Sequence, residues 1–93
     1  MKVGNSTKTW YLYVVHCCDN TLYTGVTTDL KRRVNEHNTS SRGSRYTRTR
    51  RPVKLVYWKI FENRSNAQKA EYKFKQLTRK QKNEIINKNI HFS

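Results

Sequence analysis

The sequence predicts a small α+β domain, opened by an antiparallel β-hairpin, with elements in the order ββαβαα. Three observations predict it. Aromatic and β-branched residues gather into three short runs of strand character. Apolar residues recur at helical spacing in the segments that follow the second and third runs. Aromatic residues make up 12% of a chain that is only 34% hydrophobic, more than a disordered chain of this charge would carry.

Residues 1–8 and 89–93 are expected to fray, leaving a core of about 9–88 inside one domain spanning 1–93. Thr9–His16 (TWYLYVVH) reads as the first strand, Asp19-Asn20 as turn chemistry and Thr21–Val26 (TLYTGV) as the returning strand. Thr27-Thr28-Asp29 starts a helix, with a threonine N-cap and an acid in the first turn, that runs to about Asn38. Asn38–Arg51 (NTSSRGSRYTRTRR) has no apolar periodicity and reads as a basic loop with room for one helical turn, closed by Pro52. Val53–Phe61 (VKLVYWKIF) is the third strand, expected to be the most buried. Ser65-Asn66-Ala67-Gln68 is a capping-box pattern opening a helix to about Leu77, and Thr78-Arg79-Lys80-Gln81 repeats it for a helix to about Asn87.

The net charge is +14, from 20 Lys and Arg against 6 Asp and Glu, so a polyanionic partner is expected to offset the self-repulsion. Nucleic acid comes first, because neutralised phosphates release counterions. A membrane-spanning role is excluded: no apolar run approaches the roughly 20 residues a bilayer requires. The basic start is not followed by a signal-like apolar stretch, so the cytoplasm is expected. Cys17 and Cys18 are adjacent, without metal-ligand spacing around them, and read as small strand residues in a reducing compartment.

Three features sit where packing alone would not put them. At about 100° per residue, Leu30, Val34 and His37 share the apolar face of the first helix, and Arg33 flanks it. The plain alternatives are a snorkelling arginine and a structural histidine. In the second helix, Ala67, Ala70, Phe74 and Leu77 form the apolar stripe, and Glu71 borders it. The plain alternative there is a Glu71–Lys75 surface pair; the functional one is a carboxylate for a magnesium ion that completes its shell with water and phosphate. Tyr11, Tyr13 and Tyr23 all lie in the hairpin, and Tyr13 and Tyr23 share one side of it in the appropriate register.

Two tripeptides sharpen this pattern: Tyr11-Leu12-Tyr13 in WYLYVV and Tyr23-Thr24-Gly25 in LYTGVT. With them the chain resembles the GIY-YIG nuclease superfamily over about residues 10–88. It is most similar to the small stand-alone bacterial proteins of the YhbQ and YazA type, kin to the nuclease domain of the repair protein UvrC. The match is not literal. Tyr11 replaces the leading glycine, and both middle isoleucines are changed. The resemblance maps the family's helix arginine onto Arg33, eight after Gly25, and a following His or Tyr onto His37. It maps the metal-binding glutamate onto Glu71 and, weakly, a late asparagine onto Asn83. The basic stretch Gly43–Val53 is also similar to the small stand-alone branch.

The resemblance implies a three-stranded antiparallel sheet flanked by helices, and a divalent-metal-dependent endonuclease acting on DNA, with structured or damaged DNA in repair or recombination as substrate. Glu71 would hold one Mg²⁺ or Mn²⁺ against the scissile phosphate. Arg33 would offer its donor fork to the phosphate. Tyr13 or Tyr23 would help activate water, with Arg33, Lys31 or the metal lowering its pKa. His37 would hydrogen-bond that tyrosine or relay its proton, and Gly25 would permit close approach. Arg42, Arg45, Arg48, Arg50 and Arg51, with Tyr46 among them, suit a phosphate track with one stacked base, extended by Lys31, Lys73 and Lys75. The implied partners are nucleic acid, DNA ahead of RNA, and a targeting protein. Two other readings compete: a non-catalytic nucleic-acid-binding module on the same scaffold, and a ribosome- or membrane-associated basic protein.

Overall fold

The structure, a computed structural model, describes residues 9–90, with Asn89 and Ile90 described by backbone alone. Of the residues expected to fray, 1–8 and 91–93 lie outside the described residues, and 89 and 90 continue the last helix. The elements are β1 (Trp10–His16), β2 (Leu22–Thr27), α1 (Leu30–Thr39), a four-residue α2 (Arg45–Arg48), β3 (Lys54–Phe61), α3 (Arg64–Lys75) and α4 (Arg79–Ile90). The three strands form one antiparallel sheet in the order β2-β1-β3, so the expected α+β architecture is observed.

The hairpin closes where the turn residues stand. Asn20 adopts φ 70°, a left-handed conformation that asparagine tolerates, and Asp19 Oδ1 accepts from the Thr21 hydroxyl and amide at 2.6 and 3.2 Å. Cys17 and Cys18 lie in this turn region rather than in β1; Cys17 is buried, Cys18 is exposed, and both are free thiols.

β1 is the central strand, and its alternation divides the core. Tyr13 and Val15 point to one face, joined by Cys17 and Val53 and packed against Tyr23, Leu30, Val34 and Leu55. Val14 points to the other, meeting Phe74 of α3 and Ile86 of α4 with Tyr57, Leu77 and Ile85 around them. Helices α1 and α2 therefore serve one face and α3 and α4 the other.

Three expectations are corrected. β3 is not the most buried strand. It pairs with β1 alone, leaving Trp58, Lys59 and Ile60 exposed; β1, hydrogen-bonded on both sides, takes the core. The N-cap of α1 is Asp29, whose carboxylate accepts from the Arg32 amide at 3.0 Å, while Thr27 Oγ1 instead accepts from the Asp29 amide. The N-cap of α3 is Asn63, accepting from the Asn66 amide at 2.8 Å, because the chain leaves β3 only two residues earlier and Ser65 is already helical. The reciprocal box at Thr78 and Gln81 does form, at 3.1 and 3.0 Å.

Candidate active site

The hairpin register sets the site. Tyr13 stands opposite Gly25 and Val15 opposite Tyr23, so Tyr13 and Tyr23 emerge on the same face with ring centroids 6.5 Å apart. The phenol of Tyr13 lies directly over Gly25: a Cβ there would sit 2.6 Å from the Tyr13 hydroxyl oxygen. Helix α1 brings His37 down onto both rings, at 5.7 Å from Tyr13 and edge-on at 5.2 Å from Tyr23. His37 is wholly buried, and its Nε2 lies 2.7 Å from the Tyr13 hydroxyl. Its other ring nitrogen meets the short helix α2, with Thr47 Oγ1 at 2.9 Å and the Ser44 amide at 3.3 Å.

Arg33, one turn before His37, is half-buried. Its Nη1 donates to Glu36 Oε1 at 3.0 Å and to the Arg42 carbonyl at 2.8 Å. Burial pushes the Tyr13 phenol up to about 12, against the pull of the Arg33 guanidinium beside it; the Glu71 carboxylate, reaching from α3, adds to the rise. Burial likewise pushes His37 down to about 4, helped by the Arg33 charge, so the imidazole is neutral at physiological pH. Glu71 is half-buried and pairs with Lys75 at 3.2 Å. Among the described residues no three His, Cys, Asp or Glu side chains gather. The donor set is one carboxylate oxygen pair, which suits a hard cation that keeps its waters and takes phosphate oxygens.

Residues 9–84 match the family model described as the GIY-YIG catalytic domain. The chain belongs to the GIY-YIG family. It is 52% identical over 77 residues to the UPF0213 protein DP2720 of Desulfotalea psychrophila, covering 83% of this chain and 70% of that one. It is 56% identical over 72 residues to the UPF0213 protein SAG0778 of Streptococcus agalactiae, covering 77% and 81%. Among solved structures, the solution NMR structure of EF2693 from E. faecalis superposes with a TM-score of 0.59 at 42% identity, covering 92% of this chain and 90% of that one. The UPF0213 protein BH0048 from Bacillus halodurans gives 0.55 at 38%, covering 85% and 83%. Membership makes this a nuclease-type domain, and no helix among the described residues is long and apolar enough to cross a membrane.

Within this GIY-YIG domain the structure gathers Tyr13, Tyr23, Gly25, Arg33 and His37 around one buried phenol. It distributes the basic residues less evenly. Arg42, Arg45 and Arg48 are exposed. Arg50 is not a free cation: its Nε lies 2.9 Å from Asp19 Oδ2, its Nη1 donates to the Tyr46 carbonyl, and its guanidinium covers the Tyr46 ring at 4.0 Å. Arg51 caps α1, donating to the carbonyls of His37 and Ser40 at 2.6 Å each. Both are candidate phosphate ligands that also hold the fold. Tyr46 already stacks on Tyr23, at 5.8 Å and 26°. Lys31 lies on the far flank of α1, rimming a shallow groove of about 460 Å³ with Leu30, Val34 and Leu55. Lys73 stands 200° around α3 from Glu71 by helical geometry, beside Lys69 and Tyr72. Asn83 accepts from Arg79 Nε at 3.1 Å, and Arg79 in turn bonds the Asn20 carbonyl of the hairpin turn.

Sequence reasoning missed Gly43, Ser44, Thr47 and Asn38. Ser44 N-caps α2, accepting from the Thr47 amide at 3.0 Å, and the Ser-x-x-Thr spacing inside the basic loop was the available signal. Asn38 clamps the start of β3 with two bonds, donating to the Val53 carbonyl and accepting from its amide at 3.0 and 2.7 Å. No local pattern announces it.

Proposed function

We propose that this protein is a divalent-metal-dependent endonuclease that hydrolyses phosphodiester bonds of DNA in the cytoplasm. The observation that carries the reading is the convergence of two tyrosines, a neutral buried histidine and a half-buried arginine on one side of a +14 domain, with Glu71 close enough for its charge to be felt at Tyr13. Glu71 would hold Mg²⁺ or Mn²⁺, which when bound polarises the phosphoryl group and stabilises the leaving oxygen. Arg33 offers guanidinium donors to the phosphate as charge builds. Burial holds the Tyr13 phenol high, so without a metal beside it Tyr13 is protonated at neutral pH, which suits it to hydrogen bonding more than to service as a phenolate base. Tyr23 is less buried than Tyr13, which supports it as the phenol that meets water. Arg42, Arg45 and Arg48 supply the phosphate track, and its backbone contacts favour recognition of nucleic-acid shape over sequence.

The test is a cleavage screen of the purified chain over single-stranded, branched and duplex DNA and structured RNA, with Mg²⁺ or Mn²⁺. Cleavage that disappears in Glu71→Ala, with the circular dichroism spectrum retained, supports the reading. No cleavage of any substrate refutes it.

The Glu71–Lys75 and Arg33–Glu36 pairs favour a second reading, a binding module whose charged groups are satisfied within the domain. It predicts steeply salt-dependent binding that Glu71→Ala leaves unchanged or strengthens.

A further inference from the structure

The hydrogen-bond network around His37 favours one of the two neutral tautomers, and the Ser44 amide is the group that discriminates between them. The Ser44 backbone amide is directed at Nδ1 from 3.3 Å, and an amide can only donate, so Nδ1 must offer its lone pair. The side chains can follow that choice. Ser44 Oγ accepts from the Thr47 amide at 3.0 Å and donates to Thr47 Oγ1 at 3.1 Å. The Thr47 hydroxyl has two acceptors for its one proton, Nδ1 at 2.9 Å and the Ser44 carbonyl at 3.1 Å; with the Ser44 amide already directed at Nδ1, the proton goes to the nearer Nδ1. The opposite tautomer would set an Nδ1–H against the Ser44 N–H and leave that amide opposed by another donor.

Gly43 makes this approach possible. A Cβ at Gly43 would lie 2.6 Å from the Glu36 carbonyl oxygen and 2.8 Å from His37 Cα, so the chain passes against the last turn of α1 with no side chain between. That contact delivers the next residue's amide to the imidazole.

We infer that the Gly43–Thr47 turn is a positioning device that holds His37 as its Nε2–H tautomer, so that His37 donates to the Tyr13 hydroxyl and leaves the tyrosine's own proton to be donated into the site. Full burial of His37 keeps the ring neutral, so a tautomer exists to be selected. The consequence for catalysis rests on the endonuclease reading: His37 orients Tyr13 and cannot take its proton, which makes Tyr13 a hydrogen-bond donor toward a bound phosphate. The tautomer itself does not depend on that reading.

A long-range ¹H–¹⁵N correlation spectrum of the intact, histidine-labelled chain at neutral pH tests it directly. The expected spectrum shows a pyridine-type Nδ1 and a pyrrole-type Nε2 at His37; a pyrrole-type Nδ1 overturns the inference, whether or not the protein cuts nucleic acid. Thr47→Val removes one donor to Nδ1 and should draw the two ring shifts together as tautomers mix. In the cleavage assay it should lower kcat by about 10- to 100-fold while KM stays within about twofold, and Thr47→Ser should restore both readouts. A folded Thr47→Val protein with unchanged ring shifts and unchanged kcat would remove the turn from this role. If Thr47→Val does not fold, the spectrum of the unaltered chain still decides.

Discussion

The two faces of the sheet are built by different chemistry. Beneath α3 and α4 the contacts are apolar: Val14, Phe74 and Ile86, with Tyr57 stacked on Phe74 at 6.0 Å. Beneath α1 and α2 the buried set includes Tyr13, His37 and Thr47, all joined by hydrogen bonds. Dispersion and area hold the first face whatever the protonation state. The second shares its core with Val15, Cys17 and Val53, but its polar members need partners that are present and correctly protonated, because an unpaired buried polar group costs about 1–3 kcal/mol. In a chain this small, the apolar face supports the fold, and on the proposed function the polar face carries the chemistry.

Truncation separates the two. Ile86→Ala on α4 should lower stability by about 2–5 kcal/mol, read by chemical denaturation, while cleavage per folded molecule is unchanged. Arg33→Ala on α1 should do the reverse. Its pair with Glu36 is partly exposed and adds little stability, whereas a lost phosphate donor lowers kcat by about 10²–10³-fold. If Ile86→Ala abolishes cleavage in protein shown to be folded, the division of labour fails.

Above about pH 4 the acid limb of the stability curve should belong mainly to the polar face; Asp19, whose carboxyl the Thr21 hydroxyl holds below its ordinary value, contributes further down. His37 is pushed down to about 4 in the folded state against an ordinary value of 6.5. Between those pH values the unfolded chain binds a proton that the folded chain refuses, so stability falls as pH drops through that window and is complete above it. The expected loss is a few kcal/mol, measured as the denaturation midpoint from pH 7 to pH 4. His37→Gln should flatten the window; an equally steep limb in that variant would assign it elsewhere.

Legibility in the sequence follows the same division. Trp10–His16 and Leu22–Thr27 were readable because strand residues and the Asp19-Asn20 turn agree locally, and Arg33, His37 and Glu71 stood out as polar residues beside apolar faces. Burial of β3 was misjudged because hydrophobicity shows strand character but not position in the sheet: Val56 and Ile60 look alike in sequence, yet Ile60 is 56% exposed at the edge. The contacts of Arg50 and Arg51 were not legible, because composition does not reveal that Asp19 and the α1 carbonyls meet them across the fold. Ser44 and Thr47 were hidden for the same reason, since their partner His37 is seven to ten residues away and comes into reach only when α1 ends and the chain turns back at Gly43.

Gly25 is the point where the hairpin itself enforces the polar face. It has no positive φ to demand glycine; the demand comes from space, with a Cβ reaching 2.6 Å from the Tyr13 hydroxyl oxygen and 2.8 Å from Cζ. Tyr13 cannot simply swing aside, because its hydroxyl is held at 2.7 Å by His37 and its ring is 1% exposed. Gly25→Ala should therefore cost about 1–3 kcal/mol as an overpacked site and break the Tyr13–His37 bond, lowering cleavage as well. A double-mutant cycle tests the cause. In a Tyr13→Phe background the oxygen nearest the new methyl is gone, so Gly25→Ala should cost less there than in the parent, a coupling read by denaturation. An equal cost in both backgrounds would mean that Gly25 answers to the strand backbone and not to the tyrosine above it.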